Sequence, residues 1–139
     1  MIRIAIYYLL VLTGVAAAFR YGDRETRWGA CICLLASLVS SALLTLKNPV
    51  AQDVAVVDVA VLACFVALSL KTERFWPLWV AGLQLTTVLG HVLRLLEPSL
   101  MDIAYAAAMR FWSYPILLIV IAAAWRSKRY GSRAPEPAA

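Results

Sequence analysis

The chain has 139 residues, one domain at most, and 63% of them are hydrophobic while only 15% are charged; a soluble domain is nearer 45–50% and about 25%. The apolar residues fall in blocks long enough to cross a bilayer, which argues against a soluble globular domain. The net charge of +5 does not point to nucleic acid, because the cations stand between apolar blocks rather than on one polar face, and they read as topology signals and headgroup contacts.

Crossing ~30 Å of hydrocarbon takes about 20 helical residues. Five segments meet or approach that length: 2–19, 28–46, 54–70, 75–96 and 103–125. The third is short and carries Asp58; the fifth is long and carries Arg110 and Pro115. Pro115 cannot donate to the carbonyl of Phe111, so a kink or a freed acceptor is expected there. The connections are short: 20–27, 47–53, 71–74 and 97–102. Asn48-Pro49 stops a helix, and Pro98 with Ser99 and Asp102 resembles a stop followed by a capping box. Short connections make consecutive helices antiparallel neighbours. Residues 1–126 thus form a transmembrane helical domain. Residues 127–139 form a tail, basic and headgroup-bound at first, then disordered over its Pro- and Ala-rich end.

Direction follows from the cations, which concentrate on the cytoplasmic side. With the amino terminus outside, the inside holds nine: Arg20, Arg24, Arg27, Lys71, Arg74, Arg126, Lys128, Arg129 and Arg133. The outside holds three: Arg3, Lys47 and Arg94. The asymmetry alternates correctly over all five spans, whereas a four-span count would put residues 20–27 and the tail on opposite sides. Trp28, Trp76, Trp79 and Trp125 fall at inner ends, where an indole sits among headgroups, and Tyr7, Tyr8 and Tyr105 fall near outer ends. A cleaved signal peptide ending near Ala16-Ala17-Ala18 would invert this bias, so residues 2–19 are read as a retained span. The expected fold is all-α: a small polytopic transmembrane bundle of about five spans, amino terminus out and carboxyl terminus in, expected in a bacterial inner membrane.

Ionisable groups inside spans are costly and need a reason. Asp58, His91 and Arg110 lie roughly 6, 8 and 11 Å below the outer ends of their spans at 1.5 Å per residue, so they can share a layer. In the fourth span Gln84, Thr87, His91 and Arg94 recur at helical spacing and form one polar stripe, expected to face protein or water. Ser37, Ser40 and Ser41 mark a face of the second span suited to close helix packing. Tyr114 lies one turn from Arg110. Asp58, His91, Arg110, Gln84, Thr87, Arg94 and Tyr114 are therefore the candidate cluster. Read structurally, Asp58 and Arg110 form a buried pair that fixes helix register, with His91 as a hydrogen-bond partner. Read functionally, the cluster is a proton or ion relay, or a pocket open to the outer face. A third reading puts Asp58 or Arg110 in the headgroup region.

A single histidine rules out a bis-histidine haem or multi-histidine metal site within one chain. Cys31, Cys33 and Cys64 lie in apolar blocks without metal or disulfide spacing and read as apolar filler. No nucleophile–base signature or phosphate loop is present, and no cofactor is expected. Arg24-Glu25-Thr26-Arg27 reads as a solvated, self-paired charge patch. The leading expectation is a non-enzymatic accessory or scaffold subunit that packs against a larger membrane complex or against itself. The alternatives are a small oligomeric transporter or channel using Asp58, His91 and Arg110, and a membrane enzyme acting on lipid or quinone with His91 as acid/base.

Overall fold

The computed structural model describes residues 2–46, 51–97, 99 and 102–131, with side chains described over 5–43, 53–97, 99 and 111–129. Among the described residues five helices follow one another: α1 (Ile2–Tyr21), α2 (Arg24–Leu46), α3 (Ala51–Lys71), α4 (Trp76–Leu96) and α5 (Asp102–Gly131). Three of them contain stretches long and apolar enough to cross a membrane, Arg24–Leu43, Asp53–Lys71 and Trp76–Leu96, and α1 contributes a shorter apolar stretch, Ala5–Tyr21. The Asn48-Pro49 stop lies outside the described residues, as does most of the segment around Pro98. α5 is helical through Pro115.

Consecutive helices pack on one another, α1 also packs on α5, and α2 touches α5 across the interior. The core positions recur with the helical period: Tyr7, Val11, Gly14 and Ala18 on α1, and Thr26, Ala30, Cys33 and Ser37 on α2. Steps of four and three residues keep one stripe of each helix against its neighbours. Many of these side chains are small, which lets the helix axes approach closely. α1 and α5 run parallel in a matched seven-residue register. Tyr7 meets Tyr114 edge-on with centroids 6.2 Å apart, Gly14 faces Ile121, and the Tyr21 ring lies 4.4 Å from Lys128 Nζ.

Three local expectations are corrected. The eight-residue connection expected over 20–27 is a two-residue turn, Gly22-Asp23, because Asp23 caps α2 directly: its backbone carbonyl accepts Arg27 N–H at 3.1 Å and its Oδ1 accepts Thr26 N–H at 3.0 Å. Residues Arg126–Tyr130, expected to begin a tail, continue α5 as its last turns, with Lys128 held over the Tyr21 ring of α1. Trp76 does not face outward like Trp28, Trp79 and Trp125. It turns inward to pack edge-on against Phe65, with centroids 6.3 Å apart, filling the space that Gly29 leaves open by having no Cβ.

Candidate functional site

Asp58 sits on the inward face of α3, two turns before fully buried Phe65. Facing it, α4 buries Gln84, Thr87 and His91, the polar stripe expected from spacing. Both oxygens of the Asp58 carboxylate accept hydrogen bonds from α4. Gln84 Nε2 donates to Oδ1 at 2.9 Å and to the Asp58 backbone carbonyl at 3.2 Å, and His91 Nε2 donates to Oδ2 at 2.7 Å. The His91 side chain is 7% exposed and that of Asp58 23%. Two turns of α4 therefore grip one carboxylate of α3. Thr87 between them donates back to Leu83 O at 3.4 Å within its own helix.

The same half of the bundle carries further polar contacts. Tyr7 Oη lies 2.8 Å from Ser37 Oγ. Ser37 donates its own hydrogen to Cys33 O at 2.8 Å, so the phenol is the donor to Ser37. Tyr8 and Ser41 form a second hydroxyl pair between α1 and α2, and Tyr114 of α5 packs on Tyr7. Arg94 is half-buried one turn beyond His91. Arg110 lies in α5, but its side chain is outside the described residues, so the expected meeting of Asp58 with Arg110 belongs to no described contact. Of the seven candidates, Gln84 and His91 each contact Asp58; Thr87 shares their face, and Tyr114 packs on Tyr7 of the neighbouring Tyr7–Ser37 contact. Among the described residues no group of three or more His, Cys, Asp or Glu comes together as a metal site. The chemistry available at Asp58 is exchange of a proton with an imidazole at hydrogen-bond distance.

Comparison with known proteins finds no matching family model, no matching curated protein and no matching solved structure.

A second polar node lies at the opposite end of the bundle, and it is centred on Asp23, a residue the sequence reading passed over. Oδ1 accepts the Thr26 hydroxyl at 2.6 Å in addition to the Thr26 N–H, and Oδ2 accepts Ser127 Oγ at 3.2 Å and pairs with Arg74 Nη2 at 3.0 Å. One carboxylate thus joins the α1–α2 turn, the α3–α4 connection and the end of α5. Glu25 adds a contact by accepting the Thr72 hydroxyl. Arg24-Glu25-Thr26-Arg27, expected as a solvated, self-paired patch, is the first turn of α2: Arg24 and Arg27 are exposed, but Thr26 is fully buried and Glu25 accepts from Thr72. The available signal was the Asp with Thr three residues later, directly after a glycine, which is a helix start.

Burial alone pushes the Asp23 carboxyl up, but the Thr26 side-chain and backbone hydrogen bonds, with Arg74 and Ser127, outweigh it and hold the group below its ordinary value. A lowered folded-state value means that the ionised form stabilises the fold above about pH 4, and that this contribution is lost as pH falls through the lowered value. Asp23→Ala is expected to cost about 1–2 kcal/mol at neutral pH, the range of a lost helix cap. Asp23→Asn is expected to flatten the acid limb of stability against pH. Unfolding in mixed detergent between about pH 3 and pH 7 checks both, and an unchanged acid limb in the Asn variant would count against the assignment.

Proposed function

We propose that this chain is a small polytopic membrane subunit that packs against a larger membrane complex or against a second copy of itself. In this reading its five helices cross a bacterial inner membrane, with the amino terminus outside and the basic carboxyl end in the cytoplasm. The observation that carries the reading is how polarity is distributed. Among the described residues, every buried side-chain nitrogen and oxygen already has a partner within the protein, while the outward faces are apolar, with Leu12, Leu35, Val56, Val66, Leu89 and Leu118 all exposed. A bundle whose interior polar groups satisfy one another uses them to hold its helices together. Its outward faces then remain for lipid or for other helices.

The outward face of α3 suits a helix neighbour best. Ala60, Ala63, Cys64 and Ala67 lie there together and are all exposed, and small residues permit close backbone approach within a membrane. Cys64 is a native reporter. Mild oxidation of native membranes is expected to link Cys64 to a neighbouring chain, and purification in mild detergent is expected to yield a species larger than the 15.3 kDa monomer. A monodisperse monomer with no co-purifying chain and no Cys64 cross-link would overturn the proposal.

A second reading, a small oligomeric proton- or ion-coupled transporter, is supported by one observation: an imidazole 2.7 Å from a carboxylate that retains 23% exposure. It requires that removing the Asp58 charge abolish flux in liposomes while leaving the fold intact.

A further inference from the structure

The Asp23 end of α2 carries more positive charge than its own carboxylates neutralise. Asp23 is engaged by Arg74, Thr26 and Ser127, and Glu25 by Thr72. Arg24 and Arg27 are both exposed, and among the described residues neither is paired with a carboxylate. Arg27 is instead placed by the Phe19 ring, its guanidinium 6.0 Å from the centroid, a contact that orients the cation without cancelling its charge. Below the two arginines, Trp28 and Cys31 complete a surface hollow of about 220 Å³.

These four residues lie at i, i+3, i+4 and i+7 of one helix and so share a face. The same face continues through Leu35 and Leu38, which are 65% and 52% exposed. From Arg24 to Leu38 the track runs ~21 Å at 1.5 Å per residue. It begins with two guanidinium groups, passes an indole and a thiol, and ends in leucines. Paired guanidinium groups suit the oxygens of a phosphate, and the indole suits the level of the headgroups.

We propose that this face of α2 seats one anionic phospholipid, with its phosphate between Arg24 and Arg27 and an acyl chain over Trp28, Cys31, Leu35 and Leu38. The seat rests on the membrane reading above. A zwitterionic lipid carries its own cation beside the phosphate and gains less from two unneutralised arginines.

The test is native mass spectrometry of the full chain in mild detergent, titrated separately with phosphatidylglycerol and phosphatidylcholine of the same acyl chains. The unmodified protein is expected to retain phosphatidylglycerol preferentially. The Arg24→Gln/Arg27→Gln double variant is expected to bind it about 25-fold more weakly, about fivefold for each cation near an anionic headgroup. Arg20→Gln/Lys71→Gln removes the same charge from the same end but away from the hollow, and is expected to keep the preference. Equal retention of both lipids by the unmodified protein, or equal losses in the two double variants, overturns the seat. Alkaline carbonate extraction separates the two proposals: a chain that stays in the membrane pellet but shows no lipid preference loses only the seat, whereas a chain released without detergent loses the membrane reading itself.

Discussion

Asp58→Ala is expected to lower stability by about 2–4 kcal/mol in a mixed-detergent unfolding titration. The substitution removes both carboxylate acceptors, leaving buried His91 Nε2 without its Asp58 partner and buried Gln84 with only the residue 58 backbone carbonyl. Hydrogen bonds between membrane helices average ~0.6 kcal/mol and reach ~1.7, whereas stranding buried polar groups costs ~1–3 kcal/mol for each; the stranded donors therefore set the size of the effect. Asp58→Asn is expected to cost much less. Its carbonyl still accepts from Gln84, and a neutral imidazole can change tautomer so that Nε2 accepts from the new amide. The two substitutions separate geometry from charge: Ala breaks the tie between α3 and α4, and Asn keeps the tie but removes the ionisable group. Combining Asp58→Ala with His91→Ala should cost less than the two single changes together, with a coupling of about 1–3 kcal/mol. Strict additivity would show that the contact contributes nothing to holding α3 against α4. In liposomes, a folded Asp58→Asn protein that loses a proton flux present in the unmodified chain would favour the transport reading over the scaffold reading.

Gly29→Leu is expected to be as costly, about 2–4 kcal/mol, for a steric reason. A Cβ at Gly29 falls 2.5 Å from Trp76 Cη2 and 3.1 Å from Cζ3, with Phe65 Cε1 at 3.5 Å. The obstructing group is a rigid ring wedged against buried Phe65, so relief requires α2 and α4 to separate or the indole to leave its place. Overpacking a filled core costs ~1–3 kcal/mol, and a four-carbon side chain here lies at or above the top of that range. Gly82→Leu is the matched control. It lies on the exposed face of α4 with nothing within 4 Å of the added Cβ. Replacing a helical glycine there should be neutral or should stabilise by up to about 1 kcal/mol. Trp76→Leu in the Gly29→Leu background should recover part of the loss. Equal midpoints for the Gly29 and Gly82 variants would mean that Trp76 does not close the bundle as described.

Much of the helical layout was legible without coordinates, because a span must be an apolar run of about 20 residues and such runs end where cations, prolines and turn residues interrupt them. The five apolar segments lie within α1 to α5 except at Phe75, which precedes Trp76 by one residue. The stripe of Gln84, Thr87 and His91 was equally legible, since the helical period alone puts those positions on one face. The Asp23 node was not. A carboxylate beside a glycine reads as an ordinary turn until the chain segments bearing Arg74 and Ser127, remote in sequence, arrive beside it.

Composition and periodicity therefore determined which residues are helical, which faces are polar and that Asp58 and His91 needed partners. Which partners they received was decided only by tertiary structure. Periodicity runs along one chain segment and carries no information on the axial register between two helices. That register depends on how closely the backbones approach, which positions such as Gly14 against Ile121 and Gly29 against Trp76 set by what they lack. With α3 and α4 held in this register, Asp58 meets Gln84 and His91; a shift of one turn, ~5.4 Å, would carry the carboxylate out of hydrogen-bond reach of one or both.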